Sequence, residues 1–64
     1  MATYTIIKTY CNRIVSEETR EFKSLLQAKR NSPEIVSNQE VVSIYQNGLL
    51  VARKRIDAKR AHWI

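Results

Sequence analysis

The residues best suited to chemistry lie near the end of the sequence, where basic side chains are concentrated. Guanidinium and ammonium groups neutralise phosphates, and an aromatic ring can stack on a base. A histidine, His62, adjoins the one tryptophan of this stretch. The pattern predicts nucleic-acid binding, although an acidic protein surface would suit the same groups. The predicted binding residues are Arg53, Lys54, Arg55, Lys59, Arg60 and Trp63.

The positive charge of the chain is concentrated in this segment. The 64 residues include 11 Lys or Arg and 6 Asp or Glu, which gives a net charge of +5. Residues 51–64 hold five basic residues against one acid, a net of +4, whereas residues 1–50 hold six against five, a net of +1. Such asymmetry is typical of a protein with an anionic partner. A charged edge strand that blocks aggregation is the alternative interpretation.

Groups for catalysis or metal binding are scarce. The sequence has a single cysteine, Cys11, a single histidine and a single glycine. One Cys and one His cannot build a four-ligand zinc site, and one glycine cannot form a Gly-rich phosphate loop. We expect Cys11 to be a small buried apolar residue rather than a nucleophile. The prediction is a protein that is not an enzyme and uses no metal or cofactor, with a metal-free ribonuclease as the alternative.

A hairpin over residues 40–46 and 49–56 is the strongest structural signal. Asn47-Gly48 suits a two-residue turn in which both residues have positive φ. A regular register from this turn places Ile44 opposite Val51 and Glu40 opposite Arg55. Strand residues alternate between the two faces of a sheet, so this register also divides the basic residues. It predicts a core face of Val42, Ile44, Leu49 and Val51.

The other face of this hairpin is half apolar, which is unusual for a solvent-exposed surface. It carries Val41, Ser43, Tyr45, Leu50, Ala52, Lys54 and Ile56. Such a face suits a protein partner or a second copy of the chain. The predicted interface residues are Val41, Tyr45, Leu50, Trp63 and Ile64. An ordinary mixed surface partly covered by the tail is the alternative.

The first half of the sequence predicts one strand and one helix. Residues 3–11 are rich in Thr, Tyr and Ile, which favour a strand, and this strand can pair with either strand of the hairpin. Ser16 is a good N-cap, acidic residues follow it, and Pro33 lies beyond the end, so a helix is predicted over 16–30. We expect Tyr4, Ile6 and Tyr10 to face the core, with Ile7 and Cys11 as the alternative. The apolar stripe of the helix is Phe22, Leu25 and Leu26.

These elements predict a small α+β domain. The order β-α-β-β gives a three-stranded, mainly antiparallel sheet with one helix packed on one face. Residues 57–64 form a basic tail for which Asp57 could cap a short helix. Trp63 and Ile64 are costly to expose, so we expect them to dock on the domain or on a second subunit.

Length limits what this chain can bury. A domain of 64 residues buries only about 60% of the surface of its unfolded chain, and small domains often gain stability by associating. We therefore predict one domain over residues 1–64 that forms a homodimer. We expect no signal peptide and no membrane span, because no apolar stretch reaches roughly 18 residues. A soluble, cytoplasmic protein follows.

Two classes of function fit these expectations. The first is nucleic-acid binding, to DNA or RNA, through the C-terminal hairpin strand and the tail. The second is protein–protein interaction, as a small regulator, inhibitor or adaptor of phage, plasmid or bacterial type. This second class would use the outer sheet face and the Trp63-Ile64 end.

Overall fold

Five strands and one short helix make up the fold in a computed structural model that describes residues 1–63. All neighbouring strands are antiparallel and form one sheet in the order β2-β1-β3-β4-β5. The helix is too short and too polar to cross a membrane, and it is the one α-helix within residues 1–63. The elements are β1 (Ala2–Tyr10), β2 (Arg13–Phe22), α1 (Leu25–Arg30), β3 (Glu40–Gln46), β4 (Leu49–Asp57) and β5 (Arg60–Trp63).

The predicted three-stranded sheet and the helix over 16–30 are both wrong. Residues 13–22 form β2, which pairs with β1 along its whole length. The helix begins only after Ser24, whose Oγ accepts a hydrogen bond from the Gln27 N–H at 3.2 Å. The N-cap signal of Ser16 and the acids after it are worth roughly 0.3–2 kcal/mol each, and the nine residue pairs between β1 and β2 outweigh them.

The tail is a strand rather than a helix. β5 pairs with β4, and Asp57 faces Arg60 across a two-residue turn. The turn residues Ala58 and Lys59 have φ of 52° and 66°. The three two-residue turns within residues 1–63 share this geometry, yet only Asn47-Gly48 has residue types typical of it at both positions. Of the other two turns, Cys11-Asn12 has such a residue only at its second position, and Ala58-Lys59 has none.

The core lies on one face of the sheet. Tyr4 and Ile6 of β1 are buried there, as predicted, whereas Tyr10 is 46% exposed, so its prediction was wrong. The connection from β2 to β3 crosses β1 on this face and carries α1. The residues that form the core are Tyr4, Ile6, Phe22, Ala28, Ile35, Val42, Ile44 and Ala52.

Two further predictions about apolar residues were wrong. Leu26 is 58% exposed, because the predicted stripe is divided between the end of β2 and α1. Cys11 is exposed, because it lies in the turn between β1 and β2 rather than inside a strand.

A bulge in β4 changes the predicted register of the hairpin. Tyr45 faces Leu50 as expected, but Ile44 then faces Ala52 instead of Val51. Val51 is therefore an extra residue, which leaves it unpaired and shifts every later pair by one position. As a result Ala52 is buried, whereas Val51, predicted as a core residue, is 36% exposed. Leu49 was also predicted as a core residue and is 69% exposed, although it lies before the bulge and pairs with Gln46 as expected.

The shift also removes the predicted Glu40–Arg55 charge pair. Arg55 faces Val41, on the side of the sheet opposite the core. Glu40 instead contacts Lys8, with 2.9 Å between Oε2 and Nζ. The second oxygen of Glu40 accepts the backbone N–H groups of Val36 and Ser37 at 3.1 and 3.0 Å. Glu40 thus joins the crossover connection to the sheet.

Candidate nucleic-acid interface

The sheet face opposite the core, called the outer face below, is not covered by the helix. Residues that face each other on antiparallel strands point to the same side of a sheet. Ser43 pairs with Arg53 and Val41 with Arg55, which places both arginines on the outer face. Arg55 pairs with His62, which extends this set onto β5.

Four basic side chains form a strip along β4 and β5 of the outer face. Arg53, Arg55 and Asp57 are every second residue of β4, so their side chains lie on the same face. Arg60 pairs with Asp57 and therefore lies on that face too. All four side chains are exposed. We call this set the basic strip: Arg53, Arg55, Arg60 and His62.

The arginines of the basic strip have no carboxylate partner in the part of the chain that is described. The ion pairs there join Lys8 to Glu40 and Arg20 to Glu18. Asp57 shares the register of Arg60 but makes no ion pair with it. The guanidinium groups therefore keep their full charge and their hydrogen-bond donors for an external anion.

Uncharged strands separate the basic strip from the acids of β2 on the same face. Glu17 and Glu21 lie on the outer face of β2, opposite Ile7 and Thr3. β2 and β4 are three strand spacings apart, which is roughly 14 Å. That separation exceeds the Debye length of about 8 Å at physiological salt, so the acids barely weaken the field of the strip.

A depression with a volume of about 530 Å³ lies beside the basic strip. It brings together two guanidinium groups, three side-chain amides, hydroxyl groups and one half-buried aromatic ring. We call it the outer-face groove. Its lining residues are Thr9, Cys11, Asn12, Asn38, Gln39, Val41, Ser43, Tyr45, Arg53 and Arg55.

Two adjacent loops hold the amides at one end of the groove. Asn12 lies in the β1–β2 turn, while Asn38 and Gln39 directly precede β3. The Cys11 N–H donates to the Gln39 carbonyl at 3.1 Å and ties the loops together. The hydroxyl of Ser37 accepts the Gln39 N–H at 3.2 Å, which orders the second loop.

Two predicted binding residues, Lys54 and Trp63, lie on the core side instead. Lys54 Nζ donates to Ser32 Oγ at 3.1 Å and to the Pro33 carbonyl at 2.8 Å. The ammonium groups of Lys29 and Lys54 lie 5.3 and 5.2 Å from the centre of the Trp63 ring. Partial burial lowers the pKa of Lys54 below its ordinary value. These contacts hold β5 against the crossover connection.

The remaining predicted residues fall in three places. Lys59 lies exposed in the β4–β5 turn, next to the basic strip. Of the predicted interface, Val41, Tyr45 and Leu50 share the outer face, whereas Trp63 does not. Ile64 lies outside the described residues. Trp63 docks on the domain, in agreement with expectation.

The amides of the groove were missed by sequence reasoning. Asn12, Asn38 and Gln39 lie in loops, where such residues usually serve the turn itself. Their common position depends on β1 lying between β2 and β3. The assignment of β2 as a strand, together with the pairing of β1 with β3, places the Asn12 turn beside the loop before β3.

No protein-family model, curated protein or solved structure matches this chain. Within residues 1–63, no group of three or more His, Cys, Asp or Glu is placed to hold a metal ion. The candidate site therefore rests on its own geometry and charge.

Proposed function

We propose that this protein binds nucleic acid through the outer face of its sheet. Phosphates would lie on the basic strip, with the neighbouring neutral strands as the floor of the site. The observation that carries the proposal is the set of exposed arginines, Arg53, Arg55 and Arg60, without carboxylate partners among residues 1–63. The proposed role is binding rather than catalysis.

The chemistry of these side chains supports phosphate as the partner group. A guanidinium group binds phosphate oxygens with two parallel hydrogen bonds and stays charged at any physiological pH. Extended strands place alternate residues roughly 6.6 Å apart on the same face, so Arg53 and Arg55 present two guanidinium groups side by side. Arg53 and Arg55 could therefore contact successive phosphates.

A salt titration of binding tests the proposal. The variant Arg53→Gln/Arg55→Gln is compared with wild type in a fluorescence anisotropy assay with labelled DNA and RNA. Each lost phosphate contact should reduce the slope of log K against log salt by roughly 0.7–0.9. The double variant should therefore bind more weakly and show a slope reduced by roughly 1.4–1.8.

The matched control is Arg13→Gln/Arg30→Gln, which removes the same charge from positions outside the outer face. Arg13 starts β2 on the core side, opposite Tyr10, and Arg30 ends α1. This control should keep the wild-type slope. Equal losses of affinity in the two double variants would show that binding depends only on net charge. Absence of binding to any nucleic acid at low salt would contradict the proposal.

A second candidate function is protein binding, including association with a second copy of this chain. β5 pairs with β4 only from Lys54 onward, so the β4 edge near Leu49, Leu50 and Val51 has no strand beside it. These residues are 69%, 45% and 36% exposed. Sedimentation velocity of wild type and Leu50→Lys tests this candidate. A dimer that the variant dissociates would support it.

A further inference from the structure

We infer that the nucleic acid bound by this protein is single-stranded, and that its bases enter the outer-face groove. This inference rests on the proposed function and specifies its ligand. It follows from the shape of the site and from the groups that line it. The contribution of the shape and that of the lining groups can each be tested separately from phosphate binding.

The shape of the site favours a single strand. The base edges of a duplex are recessed in its grooves, so a protein reads them with a protruding helix or a two-stranded ribbon. The β3–β4 hairpin does not protrude at its basic half, since β1 flanks β3 and β5 flanks β4. The groups that could read a base line a depression instead, which an unstacked base can enter.

The groups in the groove suit a base. Tyr45 offers an aromatic ring, and the planar guanidinium groups of Arg53 and Arg55 can also stack on a base. The amides of Asn38 and Gln39, roughly 20 Å from Tyr45 along β3, supply both donors and acceptors for the edge of another base. A strand running along β4 would keep its phosphates on the arginines and turn its bases toward β3 and β1.

The first experiment compares single and double strands. Labelled homopolymers of about 12 nucleotides, a length within the range bound by single small domains, are titrated with wild-type protein at one salt concentration. Unlabelled single strands and a duplex of the same length compete with them. The expected result is that the duplex competes at least ten-fold less well than the single strands.

The second experiment removes the stacking ring. Tyr45→Leu should weaken single-strand binding about five-fold or more, because base stacking on an aromatic residue carries that much affinity. Tyr45→Phe is the matched control, since it keeps the ring and should bind like wild type. Neither variant should change the salt slope, because neither removes a charge. Thermal melting confirms that both variants are folded.

The third experiment tests the amides and the position of the strand. Asn38→Ala/Gln39→Ala should reduce the differences in affinity among the four homopolymers while the salt slope stays constant. Cys11 is exposed, lines the groove and is the single thiol of the chain. A bound single strand should therefore slow its alkylation by iodoacetamide, and an equal amount of duplex should not.

The results separate this inference from the proposed function. If the arginine variants lose binding but the duplex binds as well as single strands, and the Tyr45 and amide variants bind like wild type, this inference is wrong and the proposed function stands. Unchanged alkylation of Cys11 at saturating single strand would also overturn it. If no nucleic acid binds at low salt, the proposed function itself fails.

Discussion

Single residues set the geometry of the three tight turns. Lys59 has φ of 66° without being glycine, and Ala58 before it has φ of 52°. This left-handed conformation costs an ordinary L-residue roughly 1–2 kcal/mol. Lys59→Gly should therefore stabilise the fold by about 0.5–1 kcal/mol, after allowing for the greater freedom of glycine in the unfolded chain.

Urea unfolding measures this difference. Lys59→Ala is the control, because it removes the same charge and keeps the Cβ atom that causes the cost. It should leave the free energy of unfolding close to that of wild type. Gly48→Ala should lower the free energy of unfolding. Gly48 has φ of 78° and a Cβ there meets no atom within 4 Å, so this effect comes from backbone conformation alone. A Lys59→Gly protein no more stable than Lys59→Ala would contradict this account.

The same residues explain what could be predicted at this scale. Asn47-Gly48 announces its turn because Asn tolerates positive φ and Gly adopts it freely. Ala58-Lys59 does not, since its conformation is imposed by the pairing of β5 with β4. No property of Ala or Lys favours it.

At the scale of the element, the bulge at Val51 decides which face carries the arginines. Leu50 pairs with Tyr45 and Ala52 pairs with Ile44, so Val51 is the one extra residue between these two neighbouring pairs. Deleting Val51 would restore a regular ladder and keep every other pair. We therefore expect the Val51 deletion to fold, to unfold cooperatively and to keep Arg53 and Arg55 on the outer face.

Deletion of Arg53 is the contrasting variant. While Val51 stays bulged, this deletion moves every later residue of β4 to the opposite face, since side chains alternate along a strand. Lys54 would leave its contacts with Ser32 and Pro33, and Arg55 would turn toward the core. Circular dichroism melting should show a large loss of stability for this deletion alone. Equal loss in the two deletions would contradict the assigned position of the bulge.

Elements also differ in how far they could be predicted. The β3–β4 hairpin was confirmed, because its turn signal and its β-branched residues agree. β2 was assigned as a helix, because Ser16 and the acids after it fit a helix start as well as an exposed edge strand. Pairing with β1 makes this segment a strand, and no local sequence pattern indicates that pairing. The bulge left no signal either, so the basic residues were divided correctly between faces but assigned to the wrong ones.

At the scale of the whole molecule, one carboxylate joins the crossover connection to the sheet. Glu40 accepts from Lys8 Nζ on β1 and from the Val36 and Ser37 N–H groups in the connection. The hydrogen bond from Lys8, followed by those from the backbone, holds the pKa of Glu40 below its ordinary value. The candidate groove depends on this connection, because Asn38 and Gln39 belong to it.

This depressed pKa predicts a loss of stability in acid. A carboxylate with a lower pKa in the folded than in the unfolded chain stabilises the fold above the unfolded value, and this contribution is lost as pH falls through the folded pKa. Urea unfolding from neutral pH to pH values below about 4 should show Glu40→Gln less stable than wild type, with a difference that shrinks toward acid. Glu21→Gln on the exposed edge strand is the control and should follow wild type. A Glu40→Gln difference independent of pH would show that its charge does not hold the connection.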